Sequence, residues 1–192
     1  IFSAQSADAP ESLYRWQWQL GRQLAATGHL DKAIESYRQA ASTLQPIRQE
    51  VVEAGSEGTL GGQEPIKPLF FELADLLLQR ASLTKDGPAA ERDLLAAREA
   101  IESYKTAELR DYFHDDCVDA VRSRLTTFDR LSPDTAVIYP IMFSGRLELL
   151  MSLPSGLTRI SVPITAEQLT QEVRAFRRLV EKRTTREYLP HA

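Results

Sequence analysis

The residues best suited to covalent chemistry are a histidine and a cysteine that lie close together, His114 and Cys117. A cysteine becomes a nucleophile when a neighbouring base accepts its proton or a nearby positive charge lowers the pKa of its thiol. Here the neighbours are Asp115 and Asp116, whose negative charges disfavour the thiolate. We therefore expect Cys117 to be a partly buried structural residue at the start of a helix.

Sites for metals and phosphates are not predicted either. The histidines at 29, 114 and 191 and the single cysteine at 117 are scattered, unlike the closely spaced ligands of a zinc site. The glycine-rich segment 58–62 follows no strand and lacks the lysine of a phosphate-binding loop. The sequence thus predicts no cofactor and no metal.

Basic side chains are concentrated in the helix predicted after Thr165. They are Arg174, Arg177, Arg178, Lys182, Arg183 and Arg186. Four glutamates are interspersed among them, which favours a solvated helix face over a site for an acidic partner. The formal net charge of -4 argues against a nucleic-acid-binding protein. No run of eighteen apolar residues is present, so no membrane span is predicted.

A repeated pentapeptide indicates the helices that would position a candidate site. Ala-Ile-Glu-Ser-Tyr occurs at 33–37 and again at 100–104, and each copy is followed by an alanine three residues later, Ala40 and Ala107. An alanine, an aromatic residue four positions on and a further alanine share one stripe of a helix. Small residues on that stripe allow a second helix to approach closely. We therefore predict a stack of antiparallel helix pairs.

This pattern resembles the tetratricopeptide (TPR) repeat, because the two copies lie 67 residues apart, close to twice its 34-residue period. The residues at the expected offsets in the first pair are Leu20, Gly21, Leu24, Gly28, Ala33, Tyr37 and Ala40. Gln17 departs from the pattern, which usually has a tryptophan there. Helices are predicted over 11–26, 31–44, 69–81 and 89–109, and the second pair is a stretched version of the repeat. Further helical segments are predicted over 46–54 and after Asp115 or Asp116. In the first helix, an apolar set at helical spacing consists of Leu13, Trp16, Leu20 and Leu24.

The resemblance implies a concave surface that binds extended or helical peptides. The residues predicted to line this groove are Arg15, Trp18, Arg22, Phe71, Asp75 and Gln79. A second interpretation is equally open at this point: Trp18 and Phe71 would then pack against the C-terminal unit.

That C-terminal unit begins where the apolar period changes after Ser132. Strands are predicted over 136–143, buried on both faces, and over 146–153, where Leu147, Leu149 and Met151 face one way. A third strand includes 160–164, and Thr165 is predicted to cap a helix. The apolar stripe of that helix, expected to cover the sheet, consists of Leu169, Val173, Phe176 and Val180. The fold class is α+β: a TPR-like antiparallel helical array over 1–131, followed by a small partial β-β-β-α unit over 132–192.

The segments 135–140, 145–150 and 162–165 resemble the opening of a CHAT domain, a caspase-like family whose bacterial members often carry preceding TPR repeats. The resemblance implies a cysteine peptidase whose histidine and cysteine lie on later strands, so no catalytic residue is assigned in this chain. We expect the non-catalytic interaction and regulatory half of a TPR-CHAT peptidase. The alternative is a self-sufficient TPR scaffold or adaptor with no peptidase role.

Three kinds of partner follow from these predictions. The groove would hold a protein or peptide ligand, and the C-terminal unit would pair with the remainder of the CHAT domain. Because an unpaired apolar strand edge templates further pairing, a homodimer through residues 132–192 is also predicted.

Overall fold

The computed structural model describes residues 10–48, 66–113, 136–153 and 156–181. The chain divides into two compact units, Ile1–Leu131 and Ser132–Ala192. Within the described residues, five α-helices and one three-stranded antiparallel sheet make the fold class α+β, as predicted.

The part of the first unit that the structure describes contains four long helices. They are α1 (Pro10–Ala26), α2 (Leu30–Leu44), α3 (Lys67–Leu83) and α4 (Gly87–Phe113), with a short 3-10 turn at Gln45–Ile47. Helix α1 packs on α2, α3 packs on α4, and α2 also packs on α3. The helices predicted over 11–26, 31–44, 69–81 and 89–109 are therefore confirmed, and α3 and α4 each extend two to four residues beyond the predicted ends. The helix predicted after Asp115 or Asp116 lies outside the described residues, as does most of the segment predicted over 46–54.

The turn between α1 and α2 depends on Gly28, which has a φ of 79°. The Gly28 N–H donates to the carbonyl of Ala25 at 3.0 Å, and the His29 N–H donates to the carbonyl of Leu24 at 2.9 Å. This pair of bonds is a Schellman motif, in which a left-handed residue closes the helix. The predicted role of Gly28 is confirmed.

The first helix pair is packed around a close approach between Gly21 and Tyr37. Tyr37 is buried, as are Ala33 and Ala40 on the same stripe of α2. A Cβ atom added to Gly21 would lie 2.6 Å from Cδ2 of Tyr37, well inside van der Waals contact. Only glycine lets the tyrosine ring rest on the backbone of α1.

The second copy of the pentapeptide has different neighbours. Tyr104 packs on two rings of α3, with ring centroids 6.1 Å from Phe70 and 5.9 Å from Phe71. Ala74, the residue of α3 aligned with Gly21, is fully buried, as is Ala97 of α4. In the second pair, the tyrosine therefore packs on aromatic side chains.

The second unit is a meander followed by a helix. Its elements are β1 (Val137–Met142), β2 (Leu147–Leu153), β3 (Gly156–Val162) and α5 (Ala166–Glu181). The strand order is β1-β2-β3, and the register pairs Ile141 with Glu148 and Glu148 with Ser161.

The cap predicted at Thr165 is confirmed by two reciprocal bonds. The Gln168 N–H donates to Oγ1 of Thr165 at 3.2 Å, and the Thr165 N–H donates to Oε1 of Gln168 at 3.0 Å. This arrangement is a capping box, which satisfies backbone donors that the first turn of a helix cannot pair.

Two predictions about burial in this unit are wrong. Strand β1 is not buried on both faces, since Ile138 is 59% exposed while Ile141 is 2% exposed. Helix α5 has no buried residue, and Val173 is 56% exposed. Alternation of apolar and polar residues along a strand shows which residues share a face of the sheet, but it does not show which face other elements cover.

Candidate peptide-binding surface

The six predicted groove residues lie on α1 and α3. The three on α1 are Arg15, Trp18 and Arg22. Because they are spaced three and four residues apart, they share one side of the helix. On α3 they follow a spacing of four: Phe71, Asp75 and Gln79. The two sets belong to neighbouring helices, because a carboxylate beside Phe71 bonds to α1.

That carboxylate is Glu72, which joins three helices. Its Oε2 accepts hydrogen bonds from Nε1 of Trp18 at 2.8 Å, from the hydroxyl of Tyr37 at 2.7 Å and from Nε of Arg22 at 3.0 Å. Its Oε1 accepts from Nη2 of Arg22 at 2.9 Å. The guanidinium of Arg22 also lies 4.2 Å from the centre of the Trp18 ring. One side chain of α3 thus fixes residues of both α1 and α2.

The surroundings of Glu72 keep the carboxylate charged. Burial alone raises its pKa, but hydrogen bonds from Arg22, Tyr37 and Trp18 outweigh burial and lower the pKa below the ordinary value. Burial, and then the bond to Glu72, raise the pKa of Tyr37, so the phenol stays neutral and donates. The donor and acceptor directions of the cluster are therefore fixed at neutral pH.

Trp18 is a core residue and does not present its ring to a ligand. Only 1% of its surface is exposed, and its indole N–H is bound to Glu72. The sequence predicts that Trp18 lines the groove, whereas the structure buries its ring. Because Trp18 is fixed by packing and by a charge-assisted hydrogen bond, it supports the surface from below.

The other five predicted residues do reach the surface to differing extents. The side chain of Arg15 is 43% exposed and pairs with Glu11 at 2.8 Å. Phe71 is half-buried, with the amine of Lys67 5.0 Å from its ring centre. Nε2 of Gln79, which is exposed, donates to Oδ2 of Asp75 at 3.1 Å. The accessible surface is thus mixed, with an aromatic face between cationic and anionic side chains.

A second ion cluster joins the far end of α3 to its neighbours. Arg80 donates to both oxygens of Asp93 on α4, at 2.9 and 2.6 Å, and to Asp31 on α2 at 2.8 Å. The hydrogen bond to Asp93 is the largest influence that raises the pKa of Arg80 above its ordinary value, so the group stays charged. The sequence alone predicts no role for Arg80 or Glu72. The available signal was a charged side chain set within the apolar stretch of a predicted helix.

Among the described residues of the second unit, one carboxylate is buried: that of Glu148, which has no exposed surface. It accepts from Nε of Arg146 at 2.6 Å, from Nε and Nη2 of Arg159 at 2.8 and 2.7 Å, and from the hydroxyl of Ser161 at 3.1 Å. Burial raises its pKa, but the two arginines outweigh burial and lower it. These bonds tie β2 to β3 and to the preceding turn, which is a structural role.

Several of the remaining candidates lie outside the described residues. His114 and Cys117 lie outside those residues, as do Lys182, Arg183 and Arg186 of the basic set. In the ranges that the structure covers, no group of three or more histidine, cysteine, aspartate or glutamate side chains could hold a metal. No helix within those ranges is long and apolar enough to cross a membrane.

Comparisons of the chain with protein-family models, with curated proteins and with solved structures gave no match in any of the three. The side chains of the chain itself are therefore the basis for any functional assignment.

Proposed function

We propose that the helical unit is a TPR-like interaction module, which binds an extended or helical peptide along α1 and α3. The observation that carries this proposal is the packing of Tyr37 on the backbone of Gly21, with Ala33 and Ala40 buried beside it. In a helical repeat, such close packing of one pair leaves the side chains of its first helix on the concave surface, where repeat proteins bind partners.

The proposed binding surface consists of Arg15, Arg22, Phe71, Asp75 and Gln79, with Trp18 as its buried support. Phe71 would contact an apolar side chain of the peptide, since aromatic residues concentrate binding energy at interfaces. Gln79 and Arg15 would bond to the peptide backbone or to polar side chains. The Glu72 cluster holds α1 and α3 in position before the ligand arrives, which lowers the ordering cost of binding.

The proposal includes no catalytic role for this chain. The meander β1-β2-β3 followed by the capped helix α5 is compatible with the first part of a CHAT-like unit. We propose the interaction and regulatory half of a TPR-CHAT caspase-like peptidase, and the alternative remains a scaffold with no peptidase role. Incubation with a peptide-substrate library should give no turnover that Cys117→Ala abolishes. Such turnover would contradict a non-catalytic chain.

The binding proposal is tested by selection from a displayed peptide library, followed by affinity measurements on variants. Phe71→Ala should weaken a selected peptide by about 2 kcal/mol if the ring is central to the interface. Gln79→Ala should weaken it less. Gln39→Ala is the matched control, because Gln39 is an exposed amide on α2 that bonds to Glu35 in the same i, i+4 arrangement. Equal affinity for the wild-type chain and Phe71→Ala, with the fold intact, would reject this surface.

A further inference from the structure

Helix α1 carries a line of apolar residues outside its set of buried residues. The line consists of Leu13, Trp16, Leu20 and Leu24. Trp16 is 60% exposed and Leu20 is 40% exposed, while the buried side of the helix contains Tyr14, Trp18 and Gly21. The flanking residues Gln17 and Gln23 are uncharged. An exposed apolar line without charged neighbours is unusual on a solvated helix face.

The same line exists on α3, and there it is covered. Alignment of Gly21 with Ala74 pairs Trp16 with Leu69, Leu20 with Leu73 and Leu24 with Leu77. The three residues of α3 are 0%, 5% and 1% exposed. Both helices therefore carry large apolar side chains at these positions, but only those of α3 are covered by other parts of the protein.

Helix α3 packs on both α4 and α2. Because α4 takes the place in the second pair that α2 takes in the first, α2 is a further neighbour of α3, from the preceding pair, to which α1 has no described counterpart. Arg80 lies about two helical turns after Leu73 and therefore on the same side of α3 as Leu69 and Leu73. Its guanidinium bonds to Asp31 of α2 at 2.8 Å. Glu72, at the edge of the line, bonds to Tyr37 of α2. Both side chains thus connect α3 to α2, and each also bonds to a further helix, Arg80 to Asp93 of α4 and Glu72 to Trp18 and Arg22 of α1.

We propose that the apolar line of α1 is a docking surface for one further α-helix, packed as α2 packs on α3. The partner is an amphipathic helix of the α2 type, with aliphatic and small residues on its contacting face. Because the line has no charged member, the contacting face of the partner is uncharged at its centre. This surface is separate from the proposed peptide groove, since Arg15, Trp18 and Arg22 lie on another side of α1.

The test supplies such a helix by tethering a copy of residues 30–48 to the N-terminus of the full chain through a flexible glycine–serine linker. A tether provides a high effective concentration, so even weak docking becomes measurable. The chain has two tryptophans, of which Trp18 is 1% exposed and Trp16 is 60% exposed. Acrylamide quenching of tryptophan fluorescence therefore reports mainly on Trp16. The control carries the same linker and a scrambled sequence of the same composition.

We expect the tethered helix to lower the quenching constant several-fold relative to the scrambled control. Leu20→Ser in the helix fusion should restore quenching, whereas Leu83→Ser, at a position that is 75% exposed on α3, should leave Trp16 protected. Equal quenching in the helix fusion and the scrambled control would overturn the proposal. Light scattering that shows the untethered chain as a dimer, with Trp16 already shielded, would also overturn it, because a second copy would then occupy the line.

Discussion

Two identical pentapeptides in the helical unit pack in different ways. Tyr37 of the first copy is buried on the backbone of Gly21, and its hydroxyl donates to Glu72. Tyr104 of the second copy is only half-buried, packs on Phe70 and Phe71, and donates to Glu108 of its own helix. The first tyrosine bonds to a neighbouring helix, and the second bonds within its own.

The difference follows from where each copy lies along its helix. Ala33 comes three residues after the start of α2, whereas Ala100 comes thirteen residues after the start of α4. In an antiparallel pair, a residue further from the connecting turn meets a residue further back on the facing helix. Tyr104 therefore meets the beginning of α3, where two phenylalanines lie, and it does not meet the small residue Ala74. The pentapeptide determines which of its residues share one face of the helix. Its distance from the connecting turn determines which residues of the facing helix that face contacts.

The largest expected effect comes from removing each tyrosine in turn. Tyr37→Ala should destabilise the helical unit by about 3–5 kcal/mol, because it empties a buried site and leaves Glu72 with one donor fewer. Tyr104→Ala should cost less, about 1–2 kcal/mol, because its ring is partly exposed. Urea unfolding followed by circular dichroism gives both values. Equal losses would show that the two copies play equivalent roles.

Removal of the carboxylate that joins three helices should have the next largest effect. Glu72→Ala should cost about 2–3 kcal/mol, since it leaves the Trp18 indole, the Tyr37 hydroxyl and Arg22 without this acceptor. Glu35→Ala is the matched control on the exposed side of α2, where we expect a change within about 0.5 kcal/mol. The same unfolding assay compares them. A Glu72→Ala variant as stable as Glu35→Ala would mean that the cluster has no structural role.

The close approach in the first pair can be tested with a single methyl group. Gly21→Ala should destabilise the unit by about 1–3 kcal/mol, because its Cβ overlaps the Tyr37 ring by more than the helix preference of alanine can offset. Gly87→Ala is the control, since a Cβ there meets no atom within 4 Å other than those of its two chain neighbours. We expect only a small change, because the helix preference of alanine is opposed by its contact with the ring of Pro88. Thermal melts of the two variants should shift in opposite directions or by clearly different amounts.

The smallest effect concerns pH. The pKa of Glu72 is lowered in the folded state, so its contribution is fully present above the ordinary value of 4.5 and is lost as the pH falls through the lower folded value. The urea midpoint of the wild-type chain should therefore drop further than that of Glu72→Gln between about pH 6 and about pH 3. Parallel pH profiles for the two proteins would contradict the assignment of this carboxylate.

Much of the local structure was predictable because it depends on short-range chemistry. Gly28 ends α1, Thr165 begins α5, and the periodicities of the chain predict the helices and strands within a few residues. Burial was less predictable. Trp16 and Trp18 are two residues apart in the same helix, yet one is exposed and the other buried, because only the position of the neighbouring helix distinguishes them. Glu72 was missed for the same reason, since its donors come from residues 35 to 54 positions away.

The central claim is that a peptide binds along α1 and α3 without using the exposed faces of other helices. The most direct measurement is an amide and side-chain NMR titration of the full chain with a peptide selected from the library. The account predicts that the largest shift changes fall on Arg15, Arg22, Phe71, Asp75 and Gln79, with little change at Glu35 and Gln39. Shift changes centred on α2 or on α5, with α1 and α3 unchanged, would contradict it.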